Sequence, residues 1–293
     1  MITELELRSC LERHWGIADA HVSVHNGGMG SDTWFVEHEA CQWVAKAVPA
    51  SAGSQFKGGL GVAQWLKQAG ISAGAPVPLP DGRLAASVGG DWLALLTWVP
   101  GRPLSSDSPA DRELLGVTLA RVHRALAGYR PERAQRFHWV DPQADHLSLR
   151  PWVRPAVAAA VDALDAAGLH QMTHGLLHTD PAPEAFRFDE ATGRCGVIDW
   201  SYCIHGPLLY DLASAVMYVG GPGQAGELTE AYLRTGVLGR AEVGAGLALM
   251  LRFRWAVQAD YFAWRISASV MTGIDELEEN EKGLEDARRF LLP

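Results

Sequence analysis

Hydrophobic and polar positions follow two different rhythms along this chain, and the rhythm changes near residue 100. At 4–15, leucine and tryptophan recur among charged residues at helical steps, which predicts an amphipathic surface helix. Runs rich in β-branched and aromatic residues follow at 22–24, 33–36, 42–48, 84–88 and 92–99, and they predict strands. A helix is predicted between them at 60–69.

From Asp111 onward the pattern becomes mainly helical. Leu115, Leu119, Val122 and Leu126 recur at three- and four-residue steps, and a second helix is predicted at 152–167. Prolines and a glycine at 100–103 separate the two patterns. The sequence therefore predicts two lobes, 1–97 and 98–293.

Composition narrows the class of protein. The chain has 293 residues, 48% of them hydrophobic, which is enough for two buried cores. Its net charge of −9 disfavours nucleic-acid partners and favours cationic ligands. With no long apolar run and no signal-peptide pattern at the start, we expect a cytoplasmic protein without a membrane partner. The four cysteines lack the spacing of a disulfide framework or zinc site.

The segment 178–200 carries the strongest chemical signal. Asp180 lies in a proline-stiffened turn before a strand-like run, and 189–194 predicts a hairpin turn. The return strand ends in Asp199, so we expect the hairpin to bring Asp180 and Asp199 to the same end of adjacent strands. Two carboxylates at one site suit magnesium binding and proton handling.

A glycine cluster at 27–30 lies between the first two predicted strands. Backbone amides in such a cluster can approach phosphate because glycine has no Cβ in the way. The cluster lacks the Gly-Lys-Ser end of a Walker loop. Alone, this cluster or the His178-Thr179-Asp180 segment is most often a surface turn; their shared order along the chain is the specific signal.

Four segments, taken in their order along the chain, resemble the aminoglycoside phosphotransferase and choline kinase superfamily, which is related to protein kinases. They are the His178-to-Asp180 segment, the hairpin, Asp199-Trp200 and 206–213. The resemblance implies an α+β, protein-kinase-like bilobal fold. Its N-terminal lobe, 1–97, would combine an antiparallel sheet with a helix and bind nucleotide. Its mainly helical C-terminal lobe, 98–293, would carry catalysis and acceptor binding.

The resemblance also implies roles for individual residues. Asp180 would accept or orient the proton of the substrate hydroxyl, His178 would orient the loop, and Asp199 would hold Mg²⁺. Lys46 would neutralise the phosphates of ATP or GTP. The implied nucleotide-binding residues are Lys46, Gly27, Gly28, Gly30, Ser31, Thr97, Trp98 and Val99.

Two positions depart from the family pattern. Ala185 stands where the family has a magnesium-binding asparagine, and we expect Glu184 to supply an oxygen instead. The stretch 56–64 contains no acidic residue to pair with Lys46. A catalytically inactive nucleotide-binding homologue therefore stays open as an alternative.

Two features beside the catalytic segment have structural interpretations. Asp211 lies within an apolar helix, so we expect it to be paired and to support the catalytic loop. His174 and His178 lie four residues apart in a loop-like segment without the glutamate of a zinc protease motif, so a metal pair is not expected.

Acidic and aromatic residues near the C-terminus indicate a small cationic acceptor. Asp260 and Trp264 would share a helix face, and Glu276 and Glu279 belong to an acidic run. Such a run can equally be a solvated helix face. The hypotheses are a kinase for aminoglycoside or capreomycin-type peptide antibiotics, a metabolic kinase for homoserine, choline or an amino sugar, and an inactive homologue. Whether the protein is a monomer or a dimer stays open.

Overall fold

The structure, a computed structural model, describes residues 2–25, 30–131, 134–200, 202–274 and 276–292. Its helices are α1 (Glu4–Trp15), α2 (Gly53–Gln68), α3 (Pro109–Leu126), α4 (Val153–Ala166), α5 (Leu209–Tyr218), α6 (Gly226–Arg234), α7 (Arg240–Ser267) and α8 (Glu278–Leu291). Its strands are β1 (His21–His25), β2 (Asp32–His38), β3 (Cys41–Val48), β4 (Ala86–Val88), β5 (Asp91–Thr97), β6 (Arg102–Pro103), β7 (Gln135–Arg136), β8 (His174–Leu177), β9 (Phe186–Asp189), β10 (Arg194–Val197) and β11 (Ile204–Pro207).

The chain forms two compact units, and each contains segments that are distant in sequence. The first unit comprises Met1–Leu104, Gly128–Ala134 and Glu184–Cys203. The second comprises Ser105–Ala127, Gln135–Pro183 and Ile204–Pro293. The assignment of 1–97 and 98–293 to two functional lobes stays a prediction.

An antiparallel sheet with the order β1-β2-β3-β5-β4 forms the centre of the first unit. Leu7 and Leu11 of α1 are buried in one cluster with Val36 of β2 and Leu95 of β5, because α1 presents its apolar stripe to one sheet face. Ala45 and Ala47 of β3 belong to the same cluster. Since side chains alternate along a strand, Lys46 between these alanines lies on the opposite face.

Helix α2 begins at Gly53, seven residues before the predicted start, so the prediction of 60–69 is wrong at its N-terminal end. The glycines of α2 explain both why its start is not predicted and how the helix packs. A Cβ on Gly58 would lie 2.9 Å from the Cβ of Cys203, and one on Gly61 would lie 2.6 Å from the hydroxyl of Tyr129. Close packing of neighbouring segments therefore compensates for the low helix propensity of glycine.

The predicted hairpin is present as β9 and β10. Phe186 pairs with Val197 and Asp189 with Arg194, and β6 extends this sheet beside β9. A short 3₁₀ turn, Pro183–Ala185, precedes the hairpin. Gly101 leads into β6 with φ of 114°, and a Cβ there would lie 2.3 Å from the carbonyl carbon of Phe188.

Most of the second unit is helical, with the small sheet β7-β11-β8. Helix α3 packs on α6, while α7 packs on α4, α5 and α8. Among the largest fully buried side chains are Tyr210, Tyr232 and Phe253. His174 is in β8, which corrects the expectation that it lies in a loop-like segment. Strand β8 pairs with β11 and ends one residue before His178.

A buried arginine joins α7 to α8. Arg265 is fully buried, and its Nε donates to Oδ1 of Asn280 at 2.7 Å. Its Nη2 donates to the carbonyl of Thr272 at 2.7 Å, within the connection between the two helices. Asn280 in turn donates to the carbonyl of Val270 at 3.1 Å. These bonds satisfy a buried cation and fix the connection between α7 and α8.

Across the described residues, every helix is too short or too polar to cross a lipid bilayer.

Candidate active site

Lys46 and Asp199 form an ion pair in the first unit. Lys46 is on the β3 face opposite α1, and Asp199 follows two residues after β10. The Lys46 side chain is 15% exposed, whereas that of Asp199 is 58% exposed. Asp199 has φ of 71°, a conformation that non-glycine residues rarely adopt and that recurs at functional sites. Helix α2 carries no acidic residue, and Asp199 is thus a partner of Lys46 that lies outside α2.

The Lys46 face of the sheet carries an aromatic pair near its far end. The rings of Phe35 and Trp98 meet edge to face, with centroids 5.7 Å apart. Both line a small hollow of about 130 Å³, together with polar side chains from β1 and β2. Strand β5 ends at Thr97, so the prediction of a strand at 92–99 is wrong at its C-terminal end, and Trp98 and Val99 follow the strand. No local pattern singles out Phe35, because an aromatic residue at that place is typical of an ordinary strand.

The glycine cluster is described only at its end. Gly27 and Gly28 lie outside the described residues. Gly30 is exposed, and the hydroxyl of Ser31 lies 3.4 Å from that of Thr33. The assignment of this segment to phosphate binding stays a prediction.

The donor set of the first unit fits a single magnesium-binding carboxylate. Among the residues that the structure describes, no three of His, Cys, Asp or Glu lie close enough together to hold a metal ion. Magnesium bound with nucleotide needs only one or two carboxylates, because phosphates and waters complete its shell. The exposed carboxylate of Asp199 meets that need. Ala185 is buried, with its carbonyl accepting from the amide of Ile198 at 2.8 Å, while Glu184 is exposed.

In the second unit, Asp180 follows β8 and is held by two donors. The hydroxyl of Tyr218 and Nη2 of Arg254 both donate to Oδ1 of Asp180, the latter at 3.2 Å. Thr179, just before Asp180, has φ of 75°. The Asp180 side chain is nevertheless 61% exposed, so a carboxylate with one anchored oxygen faces solvent.

Asp211 supports the Asp180 loop from the interior, as its apolar setting predicted. Its side chain is fully buried at the start of α5. Its carboxylate accepts from the amides of His178 at 2.6 Å and Thr179 at 2.8 Å. His123 contacts the same carboxylate at 2.9 Å and Tyr232 at 2.7 Å. These hydrogen bonds therefore fix the backbone at His178 and Thr179, directly before Asp180.

Arg254 is a buried cation beside this loop. Its side chain is only 8% exposed, and Nη2 also lies 3.0 Å from the Tyr218 hydroxyl. Burial alone would lower the pKa of Arg254, but Tyr218, Tyr210 and Asp180 raise it above its ordinary value. Arg254 therefore stays charged next to Asp180.

In the described part of the second unit, the predicted acceptor residues make separate sets of contacts. Asp260 on α7 bonds to Nε2 of His146 at 2.8 Å, and burial raises the pKa of its carboxyl. Trp264, one turn later, is 45% exposed. Glu276 and Glu279 are exposed and contact each other at the start of α8, as in a solvated helix face. Their role in acceptor binding stays a prediction.

Tyr218, Arg254 and His123 are not predicted from the sequence, because they lie far from Asp180 in the chain. Tyr218 and Arg254 follow Asp180 by 38 and 74 residues. One signal was available: Arg254 is a charge flanked by apolar positions of α7, next to buried Phe253. A charge on the buried face of a helix requires a partner.

A comparison with known families decides the class of protein. The model of the phosphotransferase enzyme family matches residues 21–245. The chain belongs to this phosphotransferase family. The match spans the Lys46–Asp199 pair and the Asp180 loop, but ends before Arg254.

Solved structures share the fold at low identity. The amicoumacin kinase hAmiN, in complex with AMP-PNP, Ca²⁺ and Ami, aligns with a TM-score of 0.76 and 16% identity, covering 99% of this chain and 93% of that one. A microcompartment-associated aminopropanol kinase gives 0.71 and 19%, covering 99% and 95%. A choline/ethanolamine kinase family protein from Mesorhizobium loti gives 0.68 and 16%, covering 98% and 94%. The phosphotransferase thus has the predicted kinase-like α+β fold.

Curated relatives of the phosphotransferase match a shorter region. A homoserine kinase of Xanthobacter autotrophicus is 29% identical over 164 residues, which are 53% of this chain and 50% of that protein. A homoserine kinase of Azorhizobium caulinodans is 27% identical over the same length and shares. The chain spans about half the length of the curated relatives it matches.

Proposed function

We propose that this phosphotransferase transfers the γ-phosphoryl group of ATP to a hydroxyl of a small, amine-bearing molecule. The observation that carries the proposal is the geometry of Asp180: an exposed carboxylate with one oxygen anchored, on a loop fixed by the buried Asp211. A group that must meet a hydroxyl needs both exposure and a fixed orientation.

In the proposed reaction, the acceptor hydroxyl oxygen forms a bond to the γ-phosphorus as the bond to the β–γ bridging oxygen breaks. The hydroxyl proton passes to the Asp180 carboxylate and from there to solvent. The products are a phosphate monoester and ADP. Because such transition states are loose, orientation of the hydroxyl by Asp180 contributes more than strong base catalysis.

Lys46 and Asp199 would serve the nucleotide. Bound Mg²⁺ supplies charge neutralisation on the phosphates. Asp199 would hold that ion, which frees Lys46 from its present ion pair to contact the α- and β-phosphates. The hollow beside Phe35 and Trp98, on the same sheet face as Lys46, would receive the nucleobase.

An amine on the acceptor is supported by the net charge of −9 and by the partly buried carboxylate of Asp260 near exposed Trp264. The antibiotic hypothesis draws on the structural similarity to the amicoumacin kinase hAmiN. The metabolic hypothesis draws on the homoserine kinase relatives. Homoserine carries a carboxylate as well as an ammonium, so a metabolic acceptor of that kind requires a cation in its pocket.

The test is transfer of ³²P from ATP to a panel of acceptors: aminoglycosides, capreomycin, amicoumacin, homoserine, choline and amino sugars. We expect a labelled monoester with at least one amine-bearing acceptor. Asp180→Asn and Lys46→Met should lower kcat at least about a hundredfold. Lys67→Met, on the exposed end of α2, is the matched control.

Two outcomes would count against the proposal. Nucleotide binding without transfer to any acceptor would favour an inactive homologue. Transfer that survives Asp180→Asn undiminished would show that this carboxylate does not handle the hydroxyl.

A further inference from the structure

Within the described residues, the side chains that donate to the carboxylate of Asp180 do so at one of its two oxygens. Tyr218 and Arg254 both donate to Oδ1, and in the part of the chain that the structure describes neither of them contacts Oδ2. With 61% of the side chain exposed, the carboxylate of Asp180 is accessible to a ligand. The two oxygens of Asp180 therefore have different surroundings.

The three side chains form a closed triangle. Arg254 lies within 3.2 Å of Asp180 and 3.0 Å of the Tyr218 hydroxyl. Since the guanidinium can only donate, it occupies a lone pair of the phenol oxygen and leaves the phenol proton for Asp180. Both donors thus act on Oδ1 at once, which fixes the rotation of the carboxylate as well as its location.

Tyr218 and Arg254, which together form a clamp on Asp180, both belong to helices. Tyr218 is the last residue of α5, Arg254 lies near the middle of α7, and these two helices pack on each other. Arg254 is buried, and its guanidinium lies over the ring of Tyr218 with 5.5 Å between its Cζ and the ring centroid. Catalytic groups supported by helices are held more tightly than groups supported by loops alone.

We propose that Tyr218 and Arg254 are positioning residues that aim Asp180, so that Oδ2 is the oxygen that accepts the acceptor's hydroxyl proton. The inference rests on the proposed phosphotransfer and names two residues beyond the segments that carry the family resemblance. Without the clamp, the carboxylate can rotate about its side-chain bonds. A displacement of about 1 Å in a reacting group can lower the rate about a hundredfold.

A purely structural explanation is the alternative. Arg254 is a buried cation, and Asp180 and Tyr218 could serve only to neutralise it. In that case, changes at Arg254 would alter stability but not the turnover of molecules that remain folded. The two explanations differ in kcat measured on folded protein.

The first measurement does not depend on activity. The midpoint of thermal unfolding is compared for the wild type, Arg254→Met, Asp180→Asn and the double variant. We expect the shift caused by Asp180→Asn to differ between the two backgrounds by about 2 °C or more, because the residues interact. If the shifts of Arg254→Met and Asp180→Asn simply add in the double variant, the two residues do not interact and the proposed clamp is refuted.

The second measurement is steady-state kinetics with an acceptor identified in the panel. Arg254→Met and Tyr218→Phe should lower kcat by about tenfold to a hundredfold while the KM for ATP changes less than about twofold. Arg254→Lys should restore part of kcat, since it restores one charged donor. Arg252→Met, two residues earlier and exposed, should match the wild type.

Unchanged kcat in both clamp variants would overturn the inference even if the thermal coupling is present. An increase in the KM for ATP with unchanged kcat would do the same. If the wild type transfers phosphate to no acceptor although the thermal coupling is present, the proposed function fails. The proposed role of Oδ2 in accepting the hydroxyl proton then fails together with the proposed function, whereas the interaction between Arg254 and Asp180 is supported.

Discussion

The imidazole of His123 lies 2.9 Å from the carboxylate of Asp211, and both side chains are fully buried. This contact joins α3 to α5, and the same carboxylate accepts from two backbone amides of the Asp180 loop. One buried group thus connects the helical core to the residues that carry the proposed chemistry.

Asp211→Asn should therefore disturb both stability and the loop. The amide nitrogen of asparagine would point at a backbone donor, leaving a buried N–H unsatisfied at a cost of about 1–3 kcal/mol. We expect a lower free energy of unfolding in urea and faster hydrogen exchange at the amides of His178 and Thr179. Asp162→Asn, on the exposed face of α4, is the control. Wild-type exchange at both amides would refute the anchoring role.

Gly101→Ala should destabilise the first unit strongly. The glycine has φ of 114°, and an added Cβ would lie 2.3 Å from the backbone of Phe188. The substitution combines backbone strain with a clash, so we expect a loss above about 3 kcal/mol. Gly82 has φ of 83°, and a Cβ added there would have no atom within 4 Å. Gly82→Ala therefore measures the cost of backbone strain without a clash, about 1–2 kcal/mol. Equal losses for the two variants would contradict the clash.

Thiol reagents should discriminate among the cysteines of the native protein. Cys10, Cys195 and Cys203 are buried, and burial raises the pKa of Cys10 and of Cys203 to about 11. The thiolate is the reactive form, so these thiols should resist alkylation at pH 8, whereas exposed Cys41 should react. Mass spectrometry after iodoacetamide treatment should find one modified site, and none in Cys41→Ser. Rapid labelling of Cys203 would contradict the packing of Gly58 against it.

Asp260 should contribute to a pH dependence of stability. Burial raises its pKa in the folded protein, so the folded state binds this proton more tightly than the unfolded state does. That contribution is complete below the unfolded pKa of about 3.9 and is lost as pH rises through the higher folded pKa. Relative to the wild type, Asp260→Asn should therefore gain stability as pH rises through this range.

Thermal unfolding midpoints measured between about pH 3.5 and 6.5 would test this expectation. Asp162→Asn, on the exposed face of α4, is the matched substitution at an exposed site. A constant difference between Asp260→Asn and the wild type across the range would contradict the effect of burial.

Hydrophobic periodicity predicts α1 with its full bounds and the approximate positions of β1 to β5, because each of these elements presents an apolar face to a core. It does not predict β6, β7, β8 or β11, which are short. The start of α2 was missed because Gly53, Gly58 and Gly59 lower local helix propensity. Contacts that no local pattern reveals, such as that between Gly58 and Cys203, compensate for that loss.

The candidate site divides in the same way. Asp180, Asp199 and Lys46 could be recognised because short, ordered motifs contain them. Tyr218 and Arg254 could not, because their relation to Asp180 depends on the packing of α5 against α7. Long-range contacts of this kind leave at most a weak local trace, such as a charge among apolar neighbours.

The hydrogen bonds of Arg265 connect α8 to α7, the helix that also carries Arg254. Arg265 is on α7, as are Arg254 and Asp260, and it depends on Asn280 of α8 for a partner. A premature stop codon before Asn280 would leave this buried guanidinium with fewer acceptors and uncover the apolar side of α7. In a cell, such a truncated chain would be recognised by proteases and chaperones, and the defect would appear as low abundance, although every proposed catalytic residue would still be encoded.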